Sequence, residues 1–322
     1  MTTVKICFIG AGKMANSVHY PSVSTYPGAN IIGVCDLDGT RAQETASKYG
    51  IPHVYTDYHK MLRDLNPEGI FVIAPPQYMY DIVKYCLDQG FPVFCEKPLG
   101  LNFHQTTMLA ELAIRKGLIT QVGHQRRSSP VLNFALDECL KRGPIHHAVC
   151  EFYKCDSTPM FSACDHIHDD CSHAVDTLRY LCKGKVVDVQ SECKRTGNPD
   201  INWVMAMLHF DNGSTGMLIN SWVSGRRVFR VEIHAPSIYS DVELEKGAHI
   251  YADGDYTGNT YDTKQIAGSE ELYVFGGFRK KHAEFIDSIA TGSDTTSSPF
   301  SDVHETMAVV ETILAQNLLK RR

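Results

Sequence analysis

Short apolar runs alternate with amphipathic stretches over the first 124 residues. Five runs predict strands, at 5–9, 31–35, 69–74, 92–95 and 119–123. Four amphipathic stretches predict helices, at 12–25, 39–49, 77–89 and 103–116. Strands and helices that alternate at this spacing are typical of βαβ units, and near-continuous apolar strands fit a sheet covered on both faces. The pattern predicts a doubly wound α/β nucleotide-binding domain over residues 1–124.

The pattern changes after residue 124. Helices are predicted at 131–142, 173–182 and 305–319. Alternating apolar and polar positions predict five strands, at 147–153, 186–194, 204–211, 214–222 and 228–234. The turn Asp211-Asn212-Gly213 between two of these strands is typical of a hairpin, so we expect an antiparallel sheet. Residues 125–322 are therefore predicted to form an α+β domain.

The composition narrows the class of protein. The chain has 322 residues, of which 43% are hydrophobic and 21% charged, and this suits a globular protein of two domains. A net charge of −6 argues against nucleic acid or an anionic membrane as partner. The apolar run 69–76 is too short to cross a bilayer, and the first residues lack the features of a signal peptide. Eleven scattered cysteines then indicate a reduced, cytoplasmic protein.

A glycine-rich loop follows the first predicted strand. The residues Gly10-Ala11-Gly12-Lys13-Met14-Ala15 have the pattern G-x-G-x-x-A, whose meaning comes from its place between a strand and a helix. Gly10 permits a tight turn, Gly12 lets the backbone approach a pyrophosphate, and Ala15 lets the helix pack closely on the strand. The amides and dipole at the helix N-terminus favour phosphate binding there.

Asp36 ends the second predicted strand, about 20 residues after the loop, where dinucleotide-binding domains place an acidic residue. Its carboxylate would accept hydrogen bonds from ribose hydroxyls and repel a 2′-phosphate. The sequence therefore favours NAD over NADP as cofactor. Arg41 lies close enough in sequence to weaken that discrimination.

Lys97 follows the predicted strand at 92–95, within Glu96-Lys97-Pro98. Open α/β sheets bind ligands outside the carboxyl ends of their strands, so Lys97 is expected near the reacting end of the cofactor. Pro98 restricts the backbone of Lys97 and allows a cis peptide. A lysine fixed in this way can stabilise a developing alkoxide or relay a proton.

Asp169, His173 and Asp176 share one face of a predicted helix, with the spacing i, i+4, i+7. A carboxylate one turn from an imidazole can orient it, so Asp169 and His173 are the expected acid–base pair. Asp170 is the competing partner of His173. The same run holds potential zinc ligands, Cys164, His166, His168, Cys171 and His173. Their spacing matches no closed structural zinc site, so no metal is predicted.

Together these motifs resemble the glucose–fructose oxidoreductase and inositol dehydrogenase (Gfo/Idh/MocA) family. GAGKMA, Glu96-Lys97-Pro98 and D-x-x-x-H-x-x-D occur in the family's order, and the resemblance covers essentially the whole chain. It implies a Rossmann domain followed by an α+β domain with a large open antiparallel sheet. It also implies NAD(P)-dependent hydride transfer to or from a secondary alcohol of a sugar or cyclitol, by a homodimer or homotetramer.

The resemblance assigns roles to individual residues. Lys97 matches the catalytic lysine, and Asp169 and His173 match the acid–base pair, so His173 would take the hydroxyl proton while Lys97 stabilises the alkoxide. Substrate contacts are implied for Arg126, Arg127, His173 and Asp176. Cofactor contacts are implied for Gly10, Gly12, Lys13, Met14, Asp36, Pro76, Glu96 and Lys97. The residues that depart from the family pattern are Tyr80, His166, His168 and Cys171, and they affect the expected substrate rather than the fold.

Two other functions stay open at this point. One is a glycosidase that retains NAD and works by oxidation and elimination; the other is a non-catalytic NAD-binding sensor. The presence of Lys97, Asp169 and His173 argues against the sensor. Trp222 could stack on a sugar ring, but a core or interface position is the preferred interpretation.

Overall fold

The computed structural model describes residues 3–156 and 166–318, which divide into two compact units. The first unit joins Met1–Gln125 with Leu272–His304, and the second joins Arg126–Glu271 with Glu305–Arg322. The continuous part of the first unit ends one residue after the predicted boundary at 124. The return of Leu272–His304 to the first unit departs from the single boundary that the sequence suggested.

The first unit is built on a six-stranded parallel sheet. Its strands are β1 (Val4–Ile9), β2 (Ala29–Cys35), β3 (His53–Tyr55), β4 (Gly69–Val72), β5 (Val93–Cys95) and β6 (Thr120–Val122). They lie in the order β3-β2-β1-β4-β5-β6, with every neighbouring pair parallel. The order reverses between β1 and β4, and the carboxyl ends of strands at such a switch point are where open α/β sheets bind ligands. The predicted doubly wound domain is confirmed.

Helices connect these strands. A π-helical turn, Ala15–His19, leads directly into α1 (Tyr20–Ser24). The next four are α2 (Gly39–Tyr49), α3 (Tyr58–Leu65), α4 (Pro76–Asp88) and α5 (Phe103–Lys116). The side chain of Asp38 caps α2 by accepting hydrogen bonds from the amides of Thr40 and Arg41, and Gly50 ends it in the left-handed region. Strand β3 and helix α3 were not predicted; β3 has only three residues, at the edge of the sheet, and these give almost no periodic signal.

Helix α10 (Phe278–Thr291), which follows the short α9 (Leu272–Phe275), explains why the chain returns to the first unit. Its Phe285 and Ile286 are buried in one cluster with Phe8, Phe71 and Phe94 of the sheet. The ring centroids of Phe8 and Phe71, and those of Phe71 and Phe94, are 4.7 Å apart. Full burial of such a side chain contributes roughly 1.5–3 kcal/mol to stability, so this helix is part of the core of the first unit.

The second unit has a sheet of eight strands. They are β7 (His147–Cys155), β8 (Val186–Lys194), β9 (Trp203–Phe210), β10 (Thr215–Ser221), β11 (Val223–Ala235), β12 (Ile238–Glu243), β13 (Gly247–Ala252) and β14 (Asn259–Asp262). Their order is β14-β13-β12-β11-β7-β10-β9-β8. The expected antiparallel pairing holds for six of the seven pairs, and the exception is β7 with β10, which are parallel. The chain leaves β7 through a helix to β8, and the meander β8-β9-β10 then brings β10 back beside β7.

Helices cover one face of this second sheet. They are α6 (Pro130–Leu140), α7 (Ser172–Cys182), the short α8 (Thr263–Ala267) and the residues of α11 (Phe300–Leu318) from 305 onward. Buried and less buried positions alternate along β9 and β10, as expected for a sheet with one packed face. None of the described helices is long and apolar enough to cross a membrane.

The cysteines behave as small apolar groups where the structure describes them. The structure describes ten cysteine thiols, and eight of these are buried. Burial raises the pKa of Cys7 and Cys35 to about 12, so neither thiol ionises near neutral pH. Cys7, Cys35 and Cys95 are all buried in the core of the first unit.

Candidate functional site

The glycine loop at the end of β1 leaves room for a ligand. Gly10 has a φ of +108°, and a Cβ there would lie 2.0 Å from the carbonyl oxygen of Ile73. A Cβ at Gly12 would meet no atom within 4 Å, so the backbone is open at this point. Residues 13–24 are helical, and the amides of residues 12–15 donate to no acceptor among the described residues. Lys13 and Met14 are exposed at this helix start, which suits a phosphate-binding turn.

Asp36 lies beside the same loop. Its Oδ2 accepts a hydrogen bond from the Ala11 amide at 2.8 Å, which fixes the carboxylate against the glycine loop. Its Oδ1 accepts from the Asp38 amide and from Nη2 of Arg41, each at 2.9 Å. The carboxylate can therefore receive a ribose hydroxyl in a defined orientation, and its nearest charged neighbour is a half-exposed guanidinium.

Glu96 and Lys97 follow β5 directly. The peptide between Lys97 and Pro98 is cis, as the sequence allowed. Glu96 is buried, and its Oε2 accepts a hydrogen bond from the Lys97 amide at 3.2 Å. A Cβ at Gly123 would lie 2.7 Å from Oε1 of Glu96, so the glycine after β6 makes space for this carboxylate. Pro76 occupies the first turn of α4, after β4.

A buried chain of hydrogen bonds ends on Glu96. Oε1 of Glu96 lies 2.9 Å from Nε2 of His19, and Nδ1 of His19 lies 2.9 Å from Nε2 of His282. Nδ1 of His282 lies 2.8 Å from the Ser22 hydroxyl, which accepts from Nε of Arg279 at 3.2 Å. With both imidazoles neutral, every donor can point toward Glu96: Arg279 donates to Ser22, Ser22 to His282, His282 to His19 and His19 to the carboxylate. Sequence analysis did not predict this chain of hydrogen bonds, because His19 and His282 are 263 residues apart.

His282 makes the stability of the protein dependent on pH. Burial and the neighbouring His19 lower the pKa of His282 well below its usual value, whereas in the unfolded chain it titrates near 6.5. Below about pH 6.5 the unfolded state therefore binds a proton that the folded state does not. We expect the free energy of unfolding to fall by up to about 1.4 kcal/mol per pH unit below that point.

Urea unfolding at pH 7.5, 6.5 and 5.5 measures this dependence. His282→Gln keeps a donor and an acceptor but cannot titrate, so its unfolding free energy should vary less with pH. His249→Gln, at a half-buried position on β13, is the matched control. Equal pH dependence in wild type and His282→Gln would contradict the prediction.

In the second unit, Arg127 and Asp176 form a buried ion pair. Nε of Arg127 donates to Oδ2 of Asp176 at 2.7 Å, and Nη2 donates to Oδ1 at 2.5 Å. The Thr306 hydroxyl also donates to Oδ1, at 3.2 Å. This two-pronged geometry neutralises both charges inside the unit. The substrate contacts that the resemblance implied for Arg127 and Asp176 stay predictions.

Asp170 is held by two other side chains. Its Oδ2 accepts hydrogen bonds from Nζ of Lys154 at 2.5 Å and from Nε1 of Trp222 at 2.8 Å. Trp222 is buried, and His166 stacks on it with ring centroids 4.6 Å apart, as expected for a core tryptophan. These contacts favour Asp169 over Asp170 as the partner of His173, and that pairing stays a prediction.

His173 is the second residue of α7 and is buried. Its ring meets the Phe152 ring edge-on, with centroids 6.4 Å apart. Residues Ile167–Cys171 form a π-helical turn, so Asp169 and His173 are separated by a wider turn than the regular α-helix that the spacing assumed. Asp169 is half-buried there.

A metal was not predicted in this run. No group of three or more His, Cys, Asp or Glu side chains that could hold a metal ion occurs within residues 3–156 and 166–318. Cys164, one of the potential ligands, and Asp165 lie outside the described residues.

Arg126 occupies a different environment from Arg127. Its guanidinium carbon lies 3.6 Å from the centroid of the Phe229 ring and 5.0 Å from that of Phe152. The side chain is buried, and its flat cation packs against both aromatic rings, whose own centroids are 5.1 Å apart. Nothing in the local sequence distinguished the two arginines, because the rings come from β7 and β11.

Two family models match the chain. Residues 4–124 match a model described as an oxidoreductase family with an NAD-binding Rossmann fold, and residues 165–236 match the GFO/IDH/MocA C-terminal domain. Together they cover more than half of the sequence. Both belong to the family that the motifs suggested.

Individual relatives agree with this match. The chain is 26% identical over 226 residues to scyllo-inositol 2-dehydrogenase (NAD(+)) of Bacillus subtilis, a match that covers 66% of each chain. It is 26% identical over 313 residues to myo-inositol 2-dehydrogenase of Thermotoga maritima, covering 90% of this chain and 89% of the relative. The fold matches that of a dehydrogenase from Chromobacterium violaceum with a TM-score of 0.88 at 18% identity, covering 99% and 96% of the two chains.

Proposed function

Because the chain belongs to the Gfo/Idh/MocA oxidoreductase family, we propose that it is an NAD-dependent dehydrogenase acting on a secondary alcohol of a sugar or cyclitol. The observation that carries the proposal is the link between the glycine loop and Lys97. His19, on the helix that follows the loop, binds Glu96, and Glu96 accepts from the Lys97 amide. The candidate catalytic lysine is thereby held by the same helix that begins at the phosphate-binding turn.

The described residues fit a dinucleotide. The open backbone at Gly12 and the amides of residues 12–15 would hold the pyrophosphate, and the Asp36 carboxylate would receive the ribose hydroxyls. Lys13, Met14, Pro76 and Glu96 are further proposed contacts. When bound, NAD supplies a hydride acceptor.

The chain itself supplies proton transfer and electrostatic stabilisation. We assign His173 as the general base that takes the hydroxyl proton on an imidazole nitrogen, with Asp169 orienting the ring. The Lys97 ammonium donates a hydrogen bond to the alcohol oxygen and stabilises the negative charge that develops on it. Glu96 fixes the backbone of Lys97, so the ammonium is presented from a defined position.

An absorbance assay at 340 nm tests the proposal. Purified protein with excess NAD and a panel of cyclitols, aldoses and disaccharides should produce NADH with at least one member. Turnover of a nitrophenyl glycoside without NADH would instead indicate the closed-cycle glycosidase. NAD binding without turnover of any compound in either panel would indicate the sensor.

The Asp36–Arg41 pair is proposed to set the preference for NAD. Asp36→Ser removes the carboxylate and releases the Arg41 guanidinium that it binds at 2.9 Å. We expect the ratio of kcat/KM for NAD to that for NADP to fall by roughly 10-fold or more, because repulsion of the 2′-phosphate is lost and a cation is gained. Steady-state kinetics with both cofactors measure the ratio.

The double variant Asp36→Ser with Arg41→Ala separates the two effects. It should use NADP less well than Asp36→Ser alone, since the guanidinium is absent. An unchanged cofactor ratio in Asp36→Ser would show that this carboxylate does not select the cofactor.

We also propose a cytoplasmic homodimer or homotetramer. The buried thiols support a reducing compartment. Met205 and Met217 are 42% and 37% exposed on neighbouring strands β9 and β10, which supports burial of that sheet face against another copy. Light scattering of the purified chain measures the oligomeric state.

A further inference from the structure

Arg126 carries a buried positive charge that no described residue of its own unit pairs. The residue is 7% exposed, and its Nε is shielded from solvent without a hydrogen-bond partner. No carboxylate of the described residues forms an ion pair with it. Burial and the nearby Arg227 lower the pKa of Arg126 to about 10, so the group is still charged at neutral pH.

Two further cations surround the same aromatic ring. The Phe152 centroid lies 5.0 Å from the guanidinium carbon of Arg126, 5.1 Å from Nζ of Lys154 and 5.7 Å from the guanidinium carbon of Arg227. We call Arg126, Phe152, Lys154, Arg227 and Phe229 the Phe152 cluster.

The three cations of the Phe152 cluster are not equally compensated. Lys154 pairs with Asp170 at 2.5 Å, and Arg227 pairs with Glu245 at 3.3 Å. Among the residues that the structure describes, these three positive charges therefore have two negative partners, and the remaining positive charge belongs to Arg126. Arg127, its neighbour in sequence, is neutralised by Asp176.

The aromatic contacts do not offset this burial. The attraction between a cation and an aromatic face is modest even when both are desolvated. Withdrawing an unpaired ion from water costs more than this attraction returns, even after the protein relaxes. A buried guanidinium with an unused Nε is therefore suited to receive a negatively charged group from a ligand, by charge-assisted hydrogen bonds.

The Phe152 cluster lies beside the candidate general base. The Phe152 ring that meets Arg126 also meets the His173 ring, at 6.4 Å between centroids. An anionic group bound at Arg126 would thus belong to the same small molecule whose hydroxyl reaches His173. This places the charge on the substrate rather than on an unrelated effector.

We propose that the substrate is an anionic polyol, a sugar or cyclitol derivative that carries a carboxylate or a phosphate monoester bound by Arg126. The proposal rests on the dehydrogenase function proposed above and narrows its substrate class. Lys154 and Arg227 add to the positive potential without giving up their own acidic partners.

Matched compounds test the proposal on the wild-type protein. Isothermal titration in the presence of NAD compares glucose with glucuronate and with glucose 6-phosphate, and myo-inositol with myo-inositol 1-phosphate. We expect at least one anionic member to bind 10-fold or more tightly than its neutral counterpart. The anionic compound that binds more tightly than its neutral counterpart shows whether the recognised group is a carboxylate or a phosphate. Equal binding within every set, or binding of none, would overturn the proposal.

Variants assign the effect to Arg126. Arg126→Met keeps an apolar stem on the Phe229 ring and should weaken binding of the anionic compound by roughly 10- to 100-fold. Binding of the neutral compound should change little. Arg142→Met is the matched control, because Arg142 forms an exposed pair with Asp253 in the same unit. If Arg126→Met does not fold, the comparison of anionic and neutral compounds on the wild-type protein still tests the proposal.

The absorbance at 340 nm separates this proposal from the function on which it rests. Selective binding of the anion without NADH formation would keep the anion site and reject the dehydrogenase. Oxidation of the anionic compound at the same kcat/KM by wild type and Arg126→Met would keep the dehydrogenase and reject the anion site.

Discussion

Replacing His173 with alanine is expected to lower kcat by about 10²- to 10⁴-fold, the usual contribution of a general acid–base group. The affinity for NAD should not change, because the proposed cofactor contacts all belong to the first unit and His173 belongs to the second. NADH formation at saturating substrate measures the first quantity, and titration of NAD against protein fluorescence measures the second.

Two controls test whether the loss of activity comes from the missing base. His249→Ala removes an imidazole from β13 and should leave kcat unchanged. Added imidazole should restore part of the activity of His173→Ala, because free imidazole can take the hydroxyl proton in place of the missing side chain. A loss of activity with a purely structural cause would not be restored in this way. Full activity in His173→Ala would remove this residue from the mechanism.

Gly10→Ala is expected to destabilise the first unit by about 3 kcal/mol or more and to abolish NAD binding. Gly10 adopts a φ of +108°, which L side chains rarely do, and the new Cβ would lie 2.0 Å from the Ile73 carbonyl oxygen. That oxygen belongs to the backbone, so no side-chain rotation can relieve the clash. The glycine loop itself has to shift. Urea unfolding and NAD titration measure the two effects.

Gly50→Ala is the matched control for this substitution. Gly50 also has a positive φ, of +67°, but a Cβ there would meet no atom within 4 Å. Gly50→Ala should therefore lower the free energy of unfolding only by the conformational strain of the positive φ, about 1–2 kcal/mol. If Gly10→Ala were as stable as Gly50→Ala, the close approach to Ile73 would not constrain the loop.

The sequence by itself determined the fold class of the first unit and most of the cofactor-binding residues proposed for it. Strand, glycine turn and helix follow one another within a few residues, so the periodicity of the chain and the φ requirement of Gly10 are sufficient to predict them. The same holds for Asp36 and Lys97, because each directly follows a strand whose carboxyl end belongs to the predicted binding edge.

Only the tertiary structure decided which charges are paired. Arg126 and Arg127 are neighbours in the chain, yet Arg127 is neutralised by Asp176, whereas Arg126 packs against Phe152 and Phe229 and has no acidic partner among the described residues. His19 likewise reaches His282 only because α10 returns to the first unit. The hydrophobic periodicity of the sequence predicts only the helix or strand to which a residue belongs and the face on which it lies. Whether a buried charge has a partner depends on side chains that distant elements bring to it, and packing alone sets those contacts.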